Sequence, residues 1–249
     1  MSTNTKNILI DLDNTMVVCN IYYQFAKTNL VKYVHKLSNK SESEITELLE
    51  KFELERLNSI DAFSSKTFPE VFVKTLYAAC EGAGMDPNSY SYMVQLSPGE
   101  DYIWLDGDVT MTHHAKVVKL AESVFNSAPY TIYPTVNDTL MELDDRGYNC
   151  YIVTKGDFYT QLRKIQDLAK VFKGVFIIPV KNSEVYSGIV RTIGSTPSEC
   201  LMIGDSPSDD IIAAHTAGLK TIWVKRKAKT SWVGDPFVKS FEYDHSVEY

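Results

Sequence analysis

Asp11 and Asp13 stand two residues apart, with Thr15 two further on, directly after the apolar run Ile8-Leu9-Ile10. A carboxylate pair at this spacing offers a nucleophile or metal ligand beside a second group able to move protons. An apolar run without alternation reads as a strand buried on both faces, as in a parallel sheet. Open α/β sheets bind ligands at the carboxyl ends of their strands. Side chains two apart on an extended chain point the same way. The stretch therefore delivers Asp11 and Asp13 to the rim of a sheet. Asp, Asn and Thr also favour turns, so a plain surface turn is the competing reading, and the rest of the chain must decide.

Three later apolar runs end in chemistry of the same kind. Tyr151-Ile152-Val153 leads into Thr154-Lys155-Gly156. Phe176-Ile177-Ile178 is followed by Lys181. Leu201-Met202-Ile203 leads into Gly204-Asp205-Ser206-Pro207-Ser208-Asp209-Asp210. The strand ends thus carry carboxylate, hydroxyl, ammonium and carboxylate. Phosphoryl transfer uses each of them: a nucleophile, positive charge on the moving phosphoryl oxygens, and a metal on hard oxygen ligands. A carboxylate can attack phosphorus and a second one, with a higher pKa, can serve as acid and base. Crowded carboxylates repel one another, which calls for a divalent cation. A hydroxyl and backbone N–H groups at a strand-to-helix turn hold phosphate oxygens.

The elements that must position these groups follow from periodicity. Beyond residue 133 the pattern predicts a helix over 135–146 ended by Gly147, a strand over 150–154 and a helix over 157–172. It continues with a strand over 175–180, a weaker helix over 183–193, a strand over 201–203, a helix over 208–217 ended by Gly218, and a strand over 221–224. Such alternation means a parallel sheet covered by helices on both faces.

Residues 17–128 read as mainly helical. Tyr, Phe, Val and Leu recur at helical spacing over 16–37, and Ser41 with Glu44 forms a capping box ahead of Ile45, Leu48, Leu49 and Phe52. Pro69 opens a helix through Val71, Phe72, Leu76 and Ala79 that closes near Gly82 and Gly84. Residues 86–108 are loop-like and 113–125 helical. The strand at 8–10 finds neighbours only in the second half of the chain. The expected organisation is an α/β core of residues 1–16 and 129–249, with a helical block, 17–128, inserted into it.

Bulk properties narrow the class. A chain of 249 residues with 44% hydrophobic and 23% charged residues is an ordinary globular mixture. A net charge of -7 argues against a general nucleic-acid binder, so no obligate nucleic-acid partner is expected. Cys19, Cys80, Cys150 and Cys200 are far apart and lack zinc-site spacing, which reads as buried free thiols in a reducing compartment. The sequence shows no basic-then-apolar leader and no bilayer-length apolar run. A cytoplasmic protein without membrane partners is the expectation.

The ordered set of strand-end motifs resembles the haloacid dehalogenase superfamily. Asp11-Leu12-Asp13-Asn14-Thr15 is similar to its nucleophile motif, Val153-Thr154-Lys155-Gly156 to its strand-end Thr/Ser motif, and Gly204-Asp205 with Asp209-Asp210 to its acidic motif. Lys181 resembles the family lysine, although the proline that often follows is Asn182 here. The resemblance implies a Rossmann-like core and a helical cap inserted between the first two motifs. It also implies Mg²⁺ as cofactor and roles for individual residues. Asp11 would attack phosphorus and bind Mg²⁺. Asp13 would serve as acid and base while its backbone carbonyl binds the metal. Thr15, Thr154, Lys155, Gly156 and Lys181 would bind phosphate, and Lys181 would also steady Asp11. Asp205 would ligate Mg²⁺, with Asp210, or else Asp209, supporting the metal.

The implied activity is a phosphatase acting on a small phosphorylated metabolite, a nucleotide monophosphate or sugar phosphate being candidates, through an aspartyl-phosphate on Asp11. An acid at position 13 argues against the dehalogenase and phosphonate-cleaving branches. A phosphotransferase or phosphomutase would use the same residues, and a non-catalytic phospho-ligand binder is the non-enzymatic alternative. Several features have blander readings. Adjacent helical residues diverge by about 100°, so His113 and His114 suit cap structure better than a shared ion. Lys225, Arg226, Lys227 and Lys229 read as a solvated loop or as a contact to an anionic partner. Tyr22, Tyr23 and Phe25 either line a pocket or pack between helices. Oligomeric state is left open.

Overall fold

The apolar runs pair as their lack of alternation requires. A computed structural model describes residues 5–57, 65–89, 111–225 and 245–248, the last segment by its backbone alone. In chain order the elements are β1 (Asn7–Ile10), β2 (Val17–Val18), α1 (Asn20–Leu37), α2 (Glu42–Leu57), α3 (Thr67–Cys80) and α4 (His113–Asn126). There follow β3 (Thr131–Ile132), α5 (Val136–Asp145), β4 (Asn149–Lys155), α6 (Phe158–Ile165), β5 (Phe172–Ile178) and α7 (Ser183–Thr192). The chain continues through β6 (Cys200–Gly204), a π-helical turn (Pro207–Ile212), α8 (Ala213–Thr216), β7 (Lys220–Lys225) and β8 (His245–Glu248). The chain forms two compact units, Met1–Asn20 with Pro129–Tyr249, and Ile21–Ala128.

In the first unit, six strands form one parallel sheet in the order β5-β4-β1-β6-β7-β8. Ile8 lies beside Cys150 and Leu201, and Ile10 beside Ile152 and Ile203. Burial on both faces explains the composition. Ile8, Ile10, Cys150 and Ile152 pack with Leu140 and Leu168 on one side, and Leu9, Val153 and Met202 pack with Tyr186, Ile189 and Ala214 on the other. Cys19, Cys80, Cys150 and Cys200 are all buried and free.

Several local expectations are revised. The helix expected over 157–172 ends at Ile165, and β5 starts at Phe172 instead of 175. Asn137 causes the break: its side chain accepts from Ala169 N (2.8 Å) and donates to Asp167 O (3.1 Å), bending the intervening chain into a turn. The helix expected over 208–217 opens as the π-helical turn, with Ile211 N donating to Ser206 O at 3.3 Å, and only its last four residues are α-helical. Val17 and Val18 are strand, not helix, and pair antiparallel with Ile132 and Thr131. This ribbon stands where the chain leaves for the helical unit and where it returns. Asn14 sets the departure. Its φ is +58°, and its Oδ1 accepts from Cys19 N (3.2 Å) and Asn20 N (2.9 Å).

In the helical unit, the capping box forms as read: Ser41 N donates to Glu44 Oε2 at 2.7 Å, and Glu44 N to Ser41 Oγ at 3.3 Å. Tyr23 packs edge-on against Phe68 and Phe125, with centroids 5.2 and 5.9 Å away, so it belongs to the core, while Phe25 is exposed. His113 is buried against the Tyr33 hydroxyl, whereas His114 faces Tyr77, so the two rings do diverge. Leu48 and Phe52 are only half-buried, and the buried face of α2 instead takes Glu53, which pairs with Lys27 at 2.5 Å and Arg56 at 3.7 Å. Most of 86–108, and the basic run beyond Lys225, lie outside the described residues.

Asn14 gives a test of the turn. Asn14→Ala should lose its side-chain hydrogen bonds to Cys19 N and Asn20 N, about 1–3 kcal/mol, and the tolerance of left-handed backbone, about 1–2 kcal/mol. Asn14→Gly should lose the same bonds but keep that tolerance. Urea unfolding should rank the stabilities wild type, then glycine, then alanine.

Candidate active site

The parallel register brings the ends of β1, β4 and β6 to one edge of the sheet. Asp11 is the first residue past β1, and its N–H donates to Ile203 O at 2.9 Å, extending the ladder by one bond. Its carboxylate is buried. Thr15 Oγ1 donates to Oδ2 at 3.0 Å and Lys181 Nζ to Oδ1 at 2.5 Å. Lys181 also donates to Asp210 Oδ1 at 2.6 Å. The loop between β5 and α7 carries the lysine, and the next residue, Asn182, caps α7 by accepting from Val185 N at 2.9 Å. Tyr186, one turn into α7, lies with its hydroxyl 3.5 Å from Asp210 Oδ1.

The acidic loop is shaped by close approach. Asp210 Oδ2 accepts from Ser206 N at 3.0 Å and lies against Gly204, where a Cβ would sit 2.3 Å from that oxygen. Only glycine leaves room for this carboxylate. Trp223 Nε1 donates to Asp205 O at 3.1 Å, which braces the same loop from β7. One oxygen from each of Asp11, Asp205 and Asp210 lies within 4.8 Å of the others.

Burial pushes the Asp11 carboxyl up to about 7; Lys181 pulls it down, and Asp210 and Asp13 push it further up. Burial also raises Asp210, and it raises Asp205 well above the usual carboxylate range, with Asp11 adding to the effect on Asp205. Burial opposes the Lys181 charge, but Asp11 and Asp210 outweigh it and hold the ammonium well above its ordinary value. With all three carboxylates ionised, they and one ammonium leave two negative charges, the complement of one divalent cation. Hard carboxylate oxygens at mutual reach fit such an ion.

Asp13 faces other partners. Lys164 Nζ donates to Oδ1 at 2.7 Å and Gln161 Nε2 to Oδ2 at 2.9 Å. The same Gln161 nitrogen lies 2.5 Å from Thr154 Oγ1 and 3.0 Å from Lys155 O. The Asp13 side chain stands outside the acidic cluster. Two expected phosphate ligands are engaged within the protein: Thr15 by Asp11, and Lys155 by an ion pair with Asp209. That pair leaves Asp210, rather than Asp209, in the acidic cluster. Gly156 follows at φ +143°, a conformation that strains other residues.

Gln161, Lys164 and Tyr186 were absent from the sequence reading. No sequence signal marks the first two, because the apolar spacing on α6 points to the opposite face. On α6 the polar Thr160, Gln161 and Lys164 are buried, while Phe158, Tyr159 and Leu162 are exposed.

The family model for haloacid dehalogenase-like hydrolases matches residues 5–218. The chain belongs to this family. It is 33% identical over 125 residues to enolase-phosphatase E1 of Sulfurihydrogenibium, covering 47% of this chain and 54% of that protein. It is 30% identical over 116 residues to phosphoserine phosphatase of Thermus thermophilus, covering 43% and 47% respectively. The chain thus spans about half the length of the curated relatives it matches. The crystal structure of a haloacid dehalogenase-like family hydrolase from Xanthomonas campestris superposes with a TM-score of 0.71 at 15% identity, covering 94% of this chain and 88% of that one. At that identity the likeness speaks for the fold. Among the described residues no helix is long and apolar enough to cross a membrane.

Two outcomes follow for this family member. Gly204→Ala should cost about 1–3 kcal/mol through overpacking against Asp210, measurable by urea unfolding. A carboxylate whose folded pKa exceeds its unfolded value favours folding below the unfolded value and loses that contribution as pH rises through the folded one. For Asp11 the window runs from 3.8 to about 7. Chelator-treated protein should therefore melt lower at pH 8 than at pH 6, as thermal unfolding at the two pH values would show.

Proposed function

We propose that this protein is a Mg²⁺-dependent phosphatase that hydrolyses a small phosphorylated metabolite through an aspartyl-phosphate on Asp11. The observation that carries the reading is the contrast between two carboxylates two residues apart. Asp11 sits with Asp205, Asp210 and Lys181, whereas Asp13 is held by Gln161 and Lys164 next to Thr154. Paired carboxylates in unlike surroundings suit unlike tasks. The relatives named above are both phosphatases and differ in substrate, which supports the reaction class and leaves the substrate to experiment.

In this mechanism Asp11 attacks phosphorus, and Lys181 keeps its carboxylate oriented while balancing charge on the phosphoryl group. Asp13 gives a proton to the leaving oxygen and later takes one from the water that hydrolyses the aspartyl-phosphate. The Thr154 hydroxyl and the N–H of Lys155 hold phosphoryl oxygens at the turn after β4. Mg²⁺, held by Asp11, Asp205 and Asp210 together with the Asp13 backbone carbonyl, would supply positive charge for the phosphoryl oxygens. The inserted helical unit serves as the cap that selects the substrate and excludes water. The reading also carries a cytoplasmic location.

The test is phosphate release from a panel of phosphorylated metabolites and an aryl phosphate, with Mg²⁺ and with chelator. Release should depend on Mg²⁺, and Asp11→Asn should lower it by roughly 10³-fold or more while the fold persists. Undiminished release by Asp11→Asn would remove Asp11 as nucleophile. Transfer to an added alcohol without release to water would make the protein a phosphotransferase.

A further inference from the structure

We propose that Gln161 and Lys164 are positioning residues that fix the Asp13 carboxylate, and that Gln161 couples it to the phosphate-binding hydroxyl of Thr154. The inference rests on the reading of Asp13 as the proton carrier. The two side chains lie one turn apart on α6 and point inward, 1% and 4% exposed. They divide the carboxylate between them, Lys164 on Oδ1 and Gln161 on Oδ2. With each oxygen engaged, the carboxylate cannot rotate without breaking a charge-assisted bond.

Chemistry fixes which way the amide points. The Asp13 carboxylate and the Lys155 carbonyl only accept hydrogen bonds, so the Gln161 amino group must face them. The same nitrogen lies 2.5 Å from Thr154 Oγ1. The amide nitrogen carries two hydrogens for three acceptors, so Thr154 shares it with the Asp13 carboxylate and the Lys155 carbonyl; the nitrogen cannot accept the Thr154 hydrogen, which points elsewhere. In the proposed mechanism that hydrogen meets a phosphoryl oxygen. One side chain thereby sets both the place of the proton carrier and the direction of the hydroxyl.

Two further observations mark the amide as more than packing. Gln161 Oε1 is buried and has no hydrogen-bond partner among the described residues, a state rare enough in native proteins to call for an explanation. Gly156, in the turn after Thr154, lies in van der Waals contact with the same side chain, a Cβ there falling 3.4 Å from Gln161 Cδ.

The experiment compares kcat/KM for p-nitrophenyl phosphate, phenyl phosphate and ethyl phosphate, in full-length protein with Mg²⁺. This quotient reports steps up to phosphoryl transfer onto Asp11 when that transfer is irreversible. Nitrophenolate leaves without a proton and ethoxide does not. Asp13→Asn should lose about 10²–10⁴-fold on ethyl phosphate and far less on the nitrophenyl ester. Lys164→Met and Gln161→Met should each lose on the order of tenfold more on ethyl than on nitrophenyl phosphate. Neither should add selectivity in the Asp13→Asn background. Gln161→Met should also weaken competitive inhibition by inorganic phosphate, while Lys164→Met should not.

Equal losses on all three esters in the folded single variants would overturn the proposal, as would added selectivity in the Asp13→Asn background. If Asp13→Asn itself shows no selectivity, the reading of Asp13 fails and the positioning role fails with it. Should Lys164→Met not fold, Gln161→Met and Lys164→Gln carry the same comparison.

Discussion

Three carboxylates within reach of one buried ammonium set the terms for the rest of the core. Each carboxylate loses hydration there, and mutual repulsion adds to the cost. Lys181 offsets part of it by donating to Asp11 and Asp210 together. The neighbouring sequence choices read as means of keeping that lysine and those carboxylates in register. Asn182 starts α7 directly after the lysine, Tyr186 closes over Asp210, Thr15 holds the far oxygen of Asp11, and Gly204 leaves the space that Asp210 fills. The remaining excess of negative charge leaves the cluster able to hold a cation.

The helical unit treats buried charge in the opposite way. Glu53 is 1% exposed, yet it meets both Lys27 and Arg56. Its charge is overmatched by cations, so nothing further is needed to balance it, and the group belongs to the packing of α1 and α2. Buried pairs of this kind add little net stability against an apolar replacement, but removing one partner strands the other. Burial of charge is therefore no mark of function by itself. What separates the two clusters is the sign of the imbalance and the place of one of them at the carboxyl edge of a parallel sheet.

Much of this could be read from the chain because the sheet imposes strong rules. A strand buried on both faces must be continuously apolar, so Ile8-Leu9-Ile10 and Tyr151-Ile152-Val153 announced themselves, and the polar residue after each run had to fall at the edge. Helices gave less. On α6 the stripe of Phe158 and Leu162 suggests an apolar inner face, yet that face looks outward because Gln161 and Lys164 are drawn to Asp13. A tertiary hydrogen bond overrode the local pattern. The same cause hid Glu53 and Arg56. The π-helical turn at Pro207–Ile212 follows from Asp210 folding back onto Ser206 N, a bond no periodicity encodes. The β2–β3 ribbon escaped notice because its two-residue strands are too short to show a period.

Spacing alone made Asp11 and Asp13 look equivalent, and their surroundings make them different. Both follow the same strand end, and the chain turns just after Asp13, through Asn14 at φ +58°. Asp11 stays in line with β1, under the lysine and among acids. Asp13 swings to α6, where its two oxygens meet a lysine and an amide and where 28% of its side chain remains accessible. A nucleophile benefits from burial, fixed direction and neighbouring positive charge. A proton carrier benefits from access to the leaving oxygen and to water. The backbone of residues 11 to 13, ahead of the turn at Asn14, places the two carboxylates in these environments, and acids of identical type two residues apart thereby come to suit different tasks.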